Sequence, residues 1–468
     1  MSDVQRPLLA HLLRRAGFGA SREDLARYDG RSYEDVVEEL LHPDRVSDLD
    51  EDILSRYMPH TAKAADATVE WNARWMYRMI NSPRPLEEKM ALFWHHVFAT
   101  GWTKSEHTPT MIAQIQMFRE FGLANLRRIL LELSKDPAMI YWLDNCENHA
   151  GSINENYGRE LLELFSMGIG NYTETDIKSV ARAFTGWTFE QPLPLYPYGH
   201  YGSGFAYRPD DHDEGEKTFL GHSGNFNGED IIEIIVKQEA TARFISRHLY
   251  NFFVADEPQV PSWSIEQPRD PAAIDTLVAA YQRSDADMRS VMRTLLNSDF
   301  FKAALHKRVK SPAEYVAGVL KLSGDFRLPE PGLEEAEATM SAMGQRLMDP
   351  PTVEGWHTGK EWIDGGTLTE RVNYAVDVVN DEHKPGTRYI VDAIAASGGP
   401  VPAGQFVDSI EELSGYVGLS PETRAELVGL ADRDGDLAFG SESERTRSES
   451  RIREMLTLIV ATREYQFA

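Results

Sequence analysis

Two carboxylates three positions apart, Glu160 and Glu163, stand in the densest polar run of the chain, Ile153-Asn154-Glu155-Asn156-Tyr157-Gly158-Arg159-Glu160-Leu161-Leu162-Glu163-Leu164-Phe165. At about 100° per residue, a helix through this run puts Tyr157, Leu161 and Leu164 on one face and Asn156, Glu160 and Glu163 on the next. Like charges at i,i+3 repel by about 0.2–0.5 kcal/mol unless something cationic lies between them. A metal, a substrate cation or Arg159 could fill that role. The plainer alternative is an ion-pair ladder from Glu155 through Arg159 to Glu163.

Three further groups could join such a site. Phe93-Trp94-His95-His96-Val97-Phe98 carries two histidines. They point about 100° apart, so one can face a site while the other packs. Histidine is the natural proton carrier near neutrality and a common metal ligand. Glu160, Glu163 and His95 are therefore the candidate ligands of one divalent cation. Asp144, Asn145, Asn148, Asn154 and Asn156 form an acceptor-rich group suited to hydroxyls or a hard cation, although such residues also cap and turn. Asp211-His212-Asp213 with Lys217 could be an oriented acid–base group, or turn chemistry. The candidate catalytic residues are thus His95, His96, Glu160, Glu163, His212 and Asp213. Arg159, Lys217 and the five Asx residues would bind substrate, with Trp187 and Trp356 on loops lining the cleft.

Other chemistries find no support. Gly221-His222-Ser223-Gly224 is not a nucleophile elbow. Gly355 to Lys360 has the wrong spacing for a phosphate loop. Asp432, Asp434 and Asp436 mimic a calcium loop, but Leu437 stands where the turn needs glycine. No HExxH and no Glu-x-x-His lies within the expected helices, so neither a zinc-protease helix nor the usual di-iron bundle is supported. The single cysteine, Cys146, rules out an intramolecular disulfide and a thiolate-built zinc site.

The elements that must position these residues are helices. Apolar residues recur at helical period through most of the 468 residues. Residues 7–41 read as three short helices capped by Ser21 and Ser32. Helices follow at 66–80, 85–98, 108–121, 123–133, 137–143, 156–167 and 173–185. Asn227 caps a helix to Lys237, and Ser311-Pro312 with Glu314 makes a capping box. Residues 186–228 and 349–366 are irregular insertions. Phe205 and Tyr207 suggest a β-hairpin around 200–222, closing on Lys217 to Leu220. The expected architecture is all-α with that hairpin: a main helical domain over 1–383 and a C-terminal subdomain of about three helices over 384–468.

The net charge is −26 and the pI about 5.0. An acidic surface argues against nucleic acid and anionic membrane as partners. No run of 18 apolar residues predicts a membrane-spanning helix. Arg6, Arg14 and Arg15 interrupt the only apolar stretch near the start, Leu8 to Leu13, unlike a signal peptide. The expected compartment is the cytoplasm as the sequence stands, or outside it if a leader has been trimmed.

The run from Leu12 to Gly19, Trp94-His95-His96, Asp144-Asn145, Asn154 to Gly168 and His212-Asp213 to Gly221 resemble one bacterial family. So do Asn227-Gly228-Glu229-Asp230, Lys310-Ser311-Pro312 with Glu314, Gly344 to Trp356, and Glu464-Tyr465-Gln466. Together they make the chain similar, from residue 8 to its last residues, to the domain-of-unknown-function 1800 family. The resemblance implies no agreed activity or catalytic set. It implies members that are often exported and often encoded beside a phosphatase/sulfatase-like family, the partner expected by resemblance alone. The residues themselves lead to an enzyme with a polar His/Asn/carboxylate cleft, with one divalent metal as its candidate cofactor and a polar or sugar-like substrate. The alternative is a non-catalytic binding or assembly protein whose polar network only fixes the fold.

Overall fold

The computed structural model describes residues 5–58, 68–190, 204–397 and 399–468. Among them the chain is all-α, with 25 helices and two small antiparallel two-stranded sheets. Local chemistry sets many helix starts. Ser21 and Ser311 close capping boxes on Asp24 and Glu314, and Ser32 accepts from the Asp35 amide. Asn227 caps the Gly228–Val236 helix and closes its own box on Asp230.

The strands pair differently from the expected hairpin. β2 (Phe205–Tyr207) pairs with β1 (Trp187–Phe189), and β3 (Lys217–Phe219) turns directly into β4 (His222–Gly224). Residues 191–203 of the expected insertion at 186–228, and so 200–203 of the expected hairpin, lie outside the described residues, as do 66 and 67 of the expected helix at 66–80. The expected helix at 156–167 stops at Glu163. There the amides of Phe165, Met167 and Gly168 turn back to Glu160 and Leu162 carbonyls, with Gly168 at φ +76°. Beyond residue 384 the helices are Pro385–Ala395, Ala403–Leu413, Pro421–Asp432, Glu442–Ala461 and the short Arg463–Gln466, more than the three expected.

One apolar core runs from Leu9 to Tyr465. The Pro85–Val97 helix packs on Thr108–Phe121, Glu239–Phe253 on Pro271–Arg283, and Gly365–Asn380 on Glu442–Ala461. A buried ionic knot joins distant segments. Arg308 Nη1 donates to both Glu314 oxygens at 2.7 Å, and Lys89 donates to Glu314 and, at 2.8 Å, to the Gly17 carbonyl. Burial alone would raise the Glu314 carboxyl, but Arg308 and Lys89 hold it below its ordinary value. Lys310 donates to the Tyr465 carbonyl at 2.6 Å, tying the last turn to the same place. No helix among the described residues is long and apolar enough to cross a membrane.

Candidate functional site

The Asn156–Glu163 helix is anchored on its apolar side. Tyr157, Gly158, Leu161 and Leu162 are buried. The Tyr157 hydroxyl meets Ser134 Oγ at 2.6 Å. A Cβ on Gly158 would stand 3.2 Å from the Ala181 nitrogen, so glycine permits close approach of the Glu174–Ala183 helix. That packing turns Glu160 and Glu163 away from the core. Arg159 pairs with Glu174 at 2.9 Å and Glu155 at 3.5 Å. The ladder therefore runs to Glu174, and Glu163 instead accepts from the Tyr172 hydroxyl at 2.9 Å. The Glu160 carboxyl has neither a hydrogen bond nor an ion pair among the described residues. Partial burial and the neighbouring Glu163, with a further push from Glu354, raise its carboxyl to about 7, against a smaller pull from Arg159.

Glu163 and Glu354 line a solvent-reachable cavity of about 230 Å³. Met167, Phe244, Arg247 and Trp263 form much of its wall. The arginines here are engaged by other acids. Arg247 pairs with Glu257 at 2.8 Å and lies 4.6 Å over the Trp263 ring, while Arg243 pairs with Asp275 at 2.9 Å. The cavity is thus lined by carboxylates without an ion pair among the described residues, Glu163 and Glu354, and by arginines already compensated by acids.

Glu354 reaches this place because of the residue after it. Gly355 sits at φ +88°, and a Cβ there would stand 2.3 Å from the His96 carbonyl oxygen. Trp356 then enters the core, edge-on to His95 at 5.2 Å and parallel to His96 at 6.2 Å. His95 is fully buried, and neither ring nitrogen has a hydrogen-bond partner among the described residues. Burial lowers His95 to about 3, and burial with Arg308 lowers His96 to about 4. His248, between Phe244 and Trp263, is likewise pushed down by burial. These rings are neutral at neutral pH and packed in the core, so His95 and His96 do not stand on the cleft as proton carriers. Among the described residues no three His, Cys, Asp or Glu side chains are gathered to hold a metal ion. Glu160, Glu163 and His95, the candidate metal ligands, are not brought together.

The remaining candidates are used in fixing the fold. Asn145 donates to the Trp187 carbonyl at 2.9 Å and Asn148 to the Ala181 carbonyl at 2.8 Å. Asn148 Oδ1 accepts from the Asn154 amide at 3.0 Å, and Asn154 Oδ1 from the Asn156 amide at 2.9 Å. This relay leads from the turn into the carboxylate helix. Asp144, in the left-handed region at φ 56°, pairs with Lys104 at 2.7 Å and accepts from Asn156 at 3.4 Å. Trp187 is buried and its Nε1 donates to Asn227 at 2.8 Å. His212 Nδ1 donates to the Thr185 carbonyl at 2.8 Å. Asp213 turns to Arg182 rather than to the imidazole, and that hydrogen bond lowers its carboxyl to about 2. Lys217 donates to carbonyls of Asp213 and Gly215. His212, Asp213 and Lys217 therefore staple the insertion and do not form an acid–base group at the cleft. Cys146 is half-buried, and burial beside Glu147 and Asp144 pushes its thiol up, away from the reactive thiolate.

Glu354, Arg247 and Trp263, which line the cleft, and Tyr172, which holds Glu163, are residues that the sequence reading did not select. The sequence reading takes in Glu354 only within the Gly344 to Trp356 segment of the family resemblance, with no sign that its charge meets Glu160. A family model described as "Protein of unknown function (DUF1800)" matches residues 11–467. No curated protein and no solved structure matches the chain.

Proposed function

We propose that this chain, which belongs to the DUF1800 family along nearly its whole length, is an acid–base enzyme of hydrolytic type working in the cleft that Glu163 and Glu354 line. The observation that carries the reading is the unequal carboxylate pair. Glu160 keeps a proton up to about pH 7 because burial and Glu163 disfavour its charge. Glu163 is oriented by the Tyr172 hydroxyl at 2.9 Å. A carboxyl that stays protonated near neutrality, set beside a second carboxyl, is a usual arrangement for the acid and base of hydrolysis. In this scheme Glu163 takes a proton from the attacking water. Glu160 gives its proton to the leaving oxygen as the scissile bond breaks.

The wall chemistry favours a polar, hydroxyl-bearing substrate. Gln267 and Asn171, the latter with its amide N–H bound to the Met167 carbonyl, line the cavity together with Trp263. With Arg243 and Arg247 already paired to acids, little attraction is left for an anionic substrate. The second reading is a non-catalytic binding module. Its support is that Asn145, Asn148, His212, Asp213 and Lys217 are paired off within the fold. A panel of 4-nitrophenyl glycosides and esters separates the two. The enzyme reading expects turnover, and a loss of about 100-fold or more in Glu160→Gln with folding intact. No nitrophenolate release above the buffer rate across the panel, despite ligand-induced stabilisation, would favour the binding module and sink the hydrolytic reading.

A further inference from the structure

We infer that a second, smaller cavity, remote in chemistry from the cleft, is a binding site for a small inorganic anion of halide or nitrate size. It measures about 40 Å³ and is lined by Arg14, Lys310, Ser414 and Tyr465, among others. A single water needs about 10–15 Å³ by this measure, so the space takes a compact ion and not a bulky organic one. Much of its lining is apolar, and the polar part is rich in donors. Arg14 Nη1 donates to the Gly415 carbonyl at 2.6 Å, but Arg14 Nη2 is buried with no partner among the described residues. Ser414 Oγ is buried and unpartnered too. Lys310, 9% exposed, spends one N–H on the Tyr465 carbonyl; burial and Arg14 disfavour its charge, which an anion beside it would stabilise. The acceptor at this wall, Glu314, is already saturated by Arg308, Lys89 and the Ser311 amide.

Charge points the same way. Arg14, Arg15, Lys89, Arg308, Lys310 and Arg371 approach one another here, and the acids that feel them are Glu314, Asp256 and Glu411. Glu411 is itself occupied by the amides of Gly418 and Leu419. A buried excess of positive charge is costly unless it is compensated. An anion held by Arg14 Nη2, Lys310 Nζ and Ser414 Oγ would supply that compensation. It would also bridge the first helix, the start of the Pro312–Ser323 helix and the turn after Leu413.

The test is the melting temperature of the full chain as sodium chloride replaces sodium gluconate at constant ionic strength, with ³⁵Cl NMR linewidth as a direct readout. Wild type is expected to show a saturable rise in melting temperature and chloride broadening, as for a ligand that binds only the folded state. Both should vanish in Arg14→Gln and persist in Arg283→Gln, a change at an exposed arginine elsewhere. If Arg14→Gln does not fold, Ser414→Ala decides, with an apparent Kd weakened about 3-fold or more on loss of one hydrogen bond. An unsaturating response in wild type means a cavity holding water alone and overturns the proposal. A response unchanged in Arg14→Gln, or in Ser414→Ala where that variant decides, places the anion elsewhere and overturns it equally.

Discussion

Residues that cannot ionise cheaply dominate the chemistry of this chain. His95 and His96 are lowered to about 3 and about 4 by burial, from an ordinary value near 6.5. As pH falls below 6.5, protons bind the unfolded chain first. Stability is therefore full above that pH and declines through the window down to about 4. Each buried neutral histidine adds a slope of about 1.4 kcal/mol per pH unit there. His95→Phe should remove one such slope between pH 6 and pH 4.5 in urea midpoints. It should cost nothing at pH 7.5, since two unpartnered ring nitrogens leave the core. An unchanged acid slope would contradict the assignment. Glu160 has the opposite sign. Its raised carboxyl destabilises the fold as pH climbs from its ordinary 4.5 toward 7. Glu160→Gln should accordingly raise the melting temperature at pH 8 and leave it nearly unchanged at pH 4.5. A purely structural glutamate would show a loss at both.

At the scale of elements, Gly355 makes the sharpest demand. It combines φ +88° with a backbone oxygen where a Cβ would lie. Gly355→Ala is expected to cost about 2 kcal/mol or more in chemical denaturation, because strain and displacement add. A loss below about 0.5 kcal/mol would show that this loop does not hold Glu354 in place. Elements were legible where their signals are local. Ser21, Ser32, Asn227 and Ser311 announce helices through side-chain-to-amide bonds a few residues long. Glu160 and Glu163 were legible as a pair for the same reason. Strand pairing was not, because Phe205–Tyr207 finds its partner in Trp187–Phe189 across an intervening segment rather than in the next strand. The end of the carboxylate helix at Glu163 was also missed, because Gly168 accepts a left-handed turn that apolar periodicity does not encode.

Across the whole molecule, polar side chains sort by what packing brings to them. The Asx group and His212, Asp213 and Lys217 looked catalytic because their types are right. Long-range packing supplied Arg182 and backbone carbonyls as their partners, and sequence spacing cannot foresee that. The same packing brought Glu354 to Glu160 and Glu163. The ionic knot at Glu314 binds the start of the chain, the Pro85–Val97 helix and the Arg308 strap. Glu314→Gln should leave Lys89 and Arg308 buried with too little negative charge, at a cost of about 3–5 kcal/mol. Denaturant midpoints check this, and a loss under about 1 kcal/mol would show that the knot is dispensable.

The central claim is that Glu160 keeps its proton near neutrality because burial and the neighbouring Glu163 both disfavour its charge. It is tested most directly by a ¹³C NMR titration of the Glu160 carboxyl in wild type and in Glu163→Gln. The account predicts a midpoint near 7 in wild type that moves down toward the ordinary carboxylate range once the neighbouring charge is gone. A wild-type midpoint near 4.5, or one that Glu163→Gln leaves in place, would contradict it.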